Sequence, residues 1–289
     1  MNRSNFCAVG TQKSATTWLF EVLNEHPEVF VPREKELHFH CPENKCRHST
    51  RGKGRKWYDS QFEDAPPVAR AIGEMTTNYM YFPESAEWLY SQNPDLKIIM
   101  LLRHPVDRAY SAYWMWKRHT PSLPSFDEIA QLKESTMIQR GYYIDQIERY
   151  QGLFGKRKIG VWFQEDIKSD PAKVLREIFS FINVDPDFTP SVLNQKVGET
   201  KKLPGAAGFV FYKILSPAIN APGIRSIWRF MRRTTNIKQY LNKLLMQNGE
   251  SGNYPALDPE TRSRWIEHYR PWNERLFEAL GRRMDNWYS

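Results

Sequence analysis

Two hydrophobic periods alternate along this chain. Residues 5–9, Asn-Phe-Cys-Ala-Val, form a short continuous apolar run of the kind a buried strand uses. A polar loop follows over 10–14, and residues 15–24 then place Trp18, Leu19, Val22 and Leu23 on one helical face. The alternation recurs: 69–73, 97–102 and 158–163 predict buried strands, while 83–92, 106–118, 139–154 and 171–181 predict helices. Strands separated by helices predict an α/β fold with a mainly parallel sheet and right-handed crossovers. Near the end, Trp265 and Tyr269 share a face over 259–269. Pro271 is expected to interrupt that helix, and Trp272, Leu276, Phe277 and Leu280 to continue one that Gly281 caps.

The length of 289 residues predicts one domain over 1–289 around one large core. The longest aliphatic run, 98–102, is far too short to cross a bilayer, and the first residues carry no apolar signal region. A cytoplasmic protein is the expectation. The net charge of +8 changes that picture regionally. Residues 201–249 contain no Asp or Glu and nine Lys or Arg, so the remainder sums to about −1. Within this segment Phe209, Phe211, Tyr212, Trp228 and Phe230 interleave with Lys213, Arg229, Arg232 and Arg233, while Pro204, Pro217 and Pro222 divide it. An anionic ligand or an anionic membrane surface suits such a segment, and so does a solvated helical surface. Nucleic acid is not expected, because no binding module accompanies the charge. Three cysteines make no disulfide framework. Cys41 and Cys46 stand near His38, His40 and His48, but without the regular pairing of zinc ligands, so no metal is expected.

The loop after the first strand reads Gly10-Thr11-Gln12-Lys13-Ser14-Ala15-Thr16-Thr17-Trp18. A strand–loop–helix of this kind presents unpaired backbone N–H groups and a helix dipole to a phosphate, with Lys13 as a charge and Thr16 and Thr17 as hydroxyl donors. An ordinary capped helix start would share this composition. The loop is not a Walker A motif, since its single glycine precedes the lysine by three positions, which counts against a kinase or NTPase. A second unit places Arg103 at the end of strand 97–102, Pro105 at a helix start and Ser111 two turns on. An ion pair of Arg103 or Arg108 with Asp107 is the plainer reading of that unit.

Together the two loops resemble those of the PAPS-dependent sulfotransferases, most of all the glycan (heparan sulfate type) and bacterial members. The resemblance rests on Gly-x-x-Lys-Ser-x-Thr-Thr-Trp-Leu and on Arg-x-Pro-x-x-Arg-x-x-Ser, in that order, and extends over most of the chain. It implies a P-loop-like central parallel sheet flanked by helices, with a helical C-terminal acceptor-side region. It also implies transfer of a sulfuryl group from PAPS to a hydroxyl or amine of a glycan, glycolipid or small molecule, leaving PAP and requiring no metal. By resemblance the loop from Gly10 to Thr17 holds the 5′-phosphosulfate, Trp18 stacks on adenine or packs in the core, and Arg103 and Ser111 hold the 3′-phosphate. Ala15 stands where the family usually has glycine, which alanine replaces comfortably if the residue is already helical. Lys201 or Lys202 is expected to supply a 3′-phosphate charge that the stretch 250–253 lacks. The basic segment would then be a lid over the acceptor cleft.

Transfer to an alcohol also needs a proton acceptor. Lys35-Glu36-Leu37-His38-Phe39 places Glu36 and His38 two apart, so an extended backbone would face both to one side. A solvated charge run would look the same. The segment is similar to the Lys-Glu-x-His-Phe motif of the glycan sulfotransferases, which implies Glu36 as base, His38 as helper or alternative base, and Lys13 at the leaving phosphate. A kinase-like nucleotide enzyme and a non-catalytic, membrane-associated nucleotide-binding adaptor are the competing classes.

Overall fold

The structure is a computed structural model describing residues 4–132, 135–194 and 254–288. The basic segment 201–249, with Lys201 and Lys202, lies outside the described residues. Among the described residues the elements run β1 (Phe6–Gly10), α1 (Thr16–Glu25), β2 (Val29–Phe30), α2 (Arg55–Ser60), β3 (Ala71–Met75), α3 (Pro83–Gln92), β4 (Lys97–Leu102), α4 (Pro105–His119), α5 (Phe126–Ala130), α6 (Thr136–Gln139), α7 (Tyr143–Phe154), β5 (Ile159–Phe163), α8 (Gln164–Ser169), α9 (Pro171–Ile182) and α10 (Pro259–Leu280). No helix among them is long and apolar enough to cross a membrane.

Five strands form one parallel sheet in the order β2-β3-β1-β4-β5. The alternation of side chains along each strand feeds two cores, one on each face. Cys7 and Val9 join Ile98, Met100 and Leu102 beneath α7 and α10. Phe6 and Ala8 join Ile99 and Leu101 beneath α1 and α9. α9 shows the logic of a flanking helix: Val174, Leu175, Ile178, Phe179 and Ile182 all point inward. Pro171 opens it, the Asp170 carboxylate accepts from the Lys173 N–H at 3.0 Å, and Asn183 closes it in the left-handed conformation.

The strand order has a functional consequence. β1 lies between β3 and β4, so the chain builds β2 and β3 on one side of it and then crosses over to build β4 and β5 on the other. Such a switch point opens a crevice beyond the carboxyl ends of the strands. The loops after β1 and β4 meet there: the Thr11 N–H donates to the Leu101 carbonyl at 2.8 Å, and Arg103 Nη1 donates to the Lys13 carbonyl at 3.2 Å.

Three expectations are corrected. The helix expected over 139–154 is broken into α6 and α7, because Tyr269 occupies the space beside Gly141. A Cβ at Gly141 would lie 2.6 Å from the tyrosine ring, whose hydroxyl donates to the Ile138 carbonyl at 2.8 Å. Pro271 does not interrupt the last helix, which runs unbroken as α10. Tyr269, Asn273, Leu276 and Phe277 are buried on both sides of the proline, and their packing outweighs the missing N–H. Gly281 caps the helix as expected, with φ 61°. Asp107 pairs with neither Arg103 nor Arg108 but with Arg262 of α10, at 2.5 Å. Arg108 is fully buried and donates to the Met137 carbonyl, which pins α6 to α4.

Candidate active site

The first functional loop is shaped by its backbone. Lys13 and Ala15 have φ 73° and 61°, separated by Ser14. Left-handed residues alternating with ordinary ones turn successive N–H groups toward one concave side, an arrangement that receives anions. Ala15 is therefore the left-handed cap that precedes α1, not a helical residue, which corrects the expectation for it and gives the reason a glycine would suit the position. Gly10 has its own constraint: a Cβ there would lie 2.8 Å from Met80 Cβ.

Charge collects at the same place. Burial, and then the positive charges of Arg103, Arg118 and Lys35, hold the Lys13 ammonium below its ordinary pKa. These cations repel one another, so an anion placed among them gains from all four. Two buried polar atoms in the loops, Ser14 Oγ and Arg103 Nε, have no hydrogen-bond partner among the described residues. Buried donors of this kind are normally satisfied. A phosphate-bearing ligand would supply the missing acceptors, so the residues present fit the phosphate groups of a nucleotide. Ser111 lies buried on α4. Trp18 is 5% exposed, and its indole N–H donates to the Leu193 carbonyl at 3.0 Å, so its visible role is in the core.

The candidate base is held by a different set of contacts. The Glu36 N–H donates to the Met75 carbonyl at 2.9 Å, and the His38 N–H to Thr76 Oγ1 at 3.3 Å. These contacts fasten the loop to the carboxyl end of β3, beside β1. The segment is not extended as expected, since Glu36 and His38 have φ 67° and 53°. Their side chains still meet, with His38 Nε2 3.7 Å from Glu36 Oε2. Burial pushes the His38 pKa down against the opposing pull of Glu36, which favours the neutral ring.

Two residues that sequence reasoning passed over complete the arrangement. Thr77 clasps the Glu36 carboxylate, its N–H donating at 3.2 Å and its hydroxyl at 2.9 Å to Oε2. Lys35 Nζ donates to Thr17 Oγ1 at 3.3 Å and to Glu36 Oε1 at 3.4 Å. Lys35 thereby joins the phosphate loop to the carboxylate. It stands inside the charged motif and would otherwise pass for a solvated side chain. Thr77 carried no sequence signal, because its contact spans 41 positions.

The geometry agrees with what comparison with known proteins finds. Residues 4–202 match the sulfotransferase domain family. The chain is 32% identical over 165 residues to the membrane-associated sulfotransferase kil1 of Dictyostelium discoideum, covering 53% of this chain and 32% of that protein. It is 24% identical over 305 residues to the bifunctional heparan sulfate N-deacetylase/N-sulfotransferase 4 of Mus musculus, covering 98% of this chain and 31% of that one. It is also 24% identical over 291 residues to the human heparan sulfate glucosamine 3-O-sulfotransferase 5, covering 96% and 72%. The chain thus spans about a third of the length of the first two. A sulfotransferase structure from Alicyclobacillus acidocaldarius superposes with a TM-score of 0.72 at 24% identity over 100% of both chains, which shows the fold. The anion-suited loops at the sheet's switch point are consistent with the family match across residues 4–202, and the chain belongs to the sulfotransferase domain family.

Proposed function

We propose that this chain transfers a sulfuryl group from PAPS to a hydroxyl or amine of a glycan. The family uses PAPS as donor and needs no metal for the transfer. The observation that carries the reading is the bridge through Lys35, which sets a carboxylate beside a loop built for an anion. PAPS brings a sulfuryl group already activated on its 5′-phosphate. As the acceptor oxygen or nitrogen bonds to sulfur, the bond from sulfur to the phosphate oxygen breaks and negative charge moves onto that phosphate. Lys13 and the N–H groups of its loop meet that charge. Glu36, held still by Thr77 and Lys35, takes the acceptor proton, and His38 orients the acceptor. Arg103 and Ser111 hold the 3′-phosphate. The relatives named for heparan sulfate and the Lys-Glu-x-His-Phe segment support a glycan over a small phenol.

A labelled-PAPS assay against desulfated heparan-type polysaccharide, glycolipids and small alcohols tests this reading. The expected result is label on the polysaccharide. Lys13→Ala should lower kcat about 10²–10³-fold, and Glu36→Gln about 10²–10⁴-fold. Full activity in Glu36→Gln would sink the base assignment, and no sulfated product on any acceptor would sink the activity.

A further inference from the structure

Beside the candidate base lies a group of soft donors that joins His38 to two thiols with no part in sulfuryl transfer. One ring nitrogen of His38, Cys41 Sγ and Cys46 Sγ all lie within 4.8 Å of one another. The separation of His38 Nδ1 from Cys41 Sγ is 3.7 Å. Both cysteines are free thiols, with 0% and 5% of their surface exposed. The Asn78 amide end completes the group, with Nδ2 3.5 Å from His38 Nδ1 and 3.8 Å from Cys46 Sγ. The amide's orientation follows from its hydrogen bonds, so turning it brings Oδ1 to the same place.

We propose that His38, Cys41 and Cys46 form a site for a soft divalent ion of the zinc class, with Asn78 Oδ1 or water in the fourth position. Tetrahedral zinc with bonds of about 2.3 Å to sulfur and 2.0 Å to nitrogen sets its ligand atoms about 3.5–3.8 Å apart. The His38 Nδ1–Cys41 Sγ separation of 3.7 Å already has that spacing, and the three donors together lie within 4.8 Å. Imidazole plus two thiolates is a donor set that selects zinc over magnesium or calcium. Binding forms one N–metal and two S–metal bonds and releases two thiol protons, so the centre is neutral overall and suited to burial.

The backbone explains how an irregular spacing gives this geometry. The Cys41 N–H donates to the His38 carbonyl at 3.2 Å, closing a turn that sets those two residues side by side. The Cys46 N–H donates to the Pro42 carbonyl at 2.8 Å, and Ser49 Oγ donates to the Cys41 carbonyl at 2.8 Å, folding the second cysteine back over the first. A consequence follows for catalysis, and it rests on the assignment of Glu36 as base. A metal on Nδ1 leaves the proton of His38 on Nε2, which faces Glu36 Oε2 at 3.7 Å. The result is a carboxylate–histidine–metal line that fixes the ring's tautomer and rotation. The ion would be a positioning device outside the transfer step.

The test is metal analysis of the full chain purified in reductant, followed by cobalt substitution. About one zinc per chain should survive gel filtration. Cobalt should give intense tetrahedral ligand-field bands and a thiolate-to-cobalt charge-transfer band, both abolished by added zinc. Cys41→Ser/Cys46→Ser should lose both signals, while Cys7→Ala keeps them. If the double variant fails to fold, the cobalt spectrum and its displacement in the wild-type chain decide alone. Substoichiometric metal with no charge-transfer band overturns the proposal, as does a weak octahedral spectrum or a Cys41–Cys46 disulfide that persists in reductant. Loss of sulfuryl transfer with the cobalt spectrum intact would overturn the functional reading and leave the metal site standing.

Discussion

Glu74 offers a measurement in which two opposing effects compete. It lies on β3, with only 1% of its surface exposed. Its carboxyl accepts from the Tyr58 hydroxyl at 2.7 Å, from Thr76 Oγ1 at 3.0 Å and from the Tyr79 hydroxyl at 3.1 Å. Burial raises its pKa from 4.5 to about 7, although the three hydroxyl donors pull the other way and Glu36 adds a small push upward. A carboxyl with a raised folded-state pKa favours folding while protonated. Its contribution is fully present below pH 4.5, declines as the unfolded chain ionises first, and is lost by about pH 7. At about 1.4 kcal/mol per pH unit, the loss comes to roughly 3 kcal/mol. That is a sizeable share of the ~5–15 kcal/mol typical of a domain. Glu74→Gln removes the titration while keeping an acceptor oxygen. Urea unfolding followed by tryptophan fluorescence at half-unit steps should show the wild type losing about 3 kcal/mol relative to the variant across this window. Parallel curves for the two proteins would refute the reasoning. They would mean that the hydroxyl donors balance burial and that Glu74 ionises near its ordinary value.

Other perturbations test the site and its frame. Thr77→Val deletes the hydroxyl that donates to Glu36, and should lower kcat roughly 10–100-fold with the KM for PAPS unchanged, read by initial rates. Ala15→Gly removes the cost of a left-handed alanine and should stabilise the chain by about 1 kcal/mol in urea unfolding; destabilisation would show that the loop tolerates alanine without strain. Gly141→Ala drives a methyl into the Tyr269 ring and should destabilise by about 1–3 kcal/mol, with Tyr269→Phe failing to restore the loss because the ring remains.

The two loops proposed to receive the nucleotide were legible as strand–loop–helix units because their signals are local. Gly10, Lys13, Thr16 and Thr17 sit on one strand–loop–helix, as Arg103 and Ser111 do on another, and hydrophobic periods locate those units without tertiary knowledge. The parallel sheet followed for the same reason. What could not be read was decided by partners distant in sequence. Gly141 looked like a tolerable helix residue until Tyr269 took its space. Pro271 looked like a break because its missing N–H is visible in sequence, while the buried positions on both sides of it become decisive only in the fold.

The acceptor end shows the same contrast within a few residues. The motif predicted that Glu36 and His38 face one another, and their side chains do meet, but the backbone conformation joining them was misjudged. An extended segment would have aligned the two side chains by periodicity alone. Instead, hydrogen bonds to the Met75 carbonyl and the Thr76 hydroxyl hold both residues at positive φ, and the side chains converge through that curl. The curl has a second effect that an extended strand would not allow. It brings His38 over the turn that carries Cys41 and Cys46, so one imidazole faces a carboxylate through Nε2 and the Cys41 thiol through Nδ1. The positive-φ backbone at Glu36 and His38 therefore has a chemical counterpart: it gives each ring nitrogen of His38 a different neighbour, Glu36 Oε2 at Nε2 and Cys41 Sγ at Nδ1.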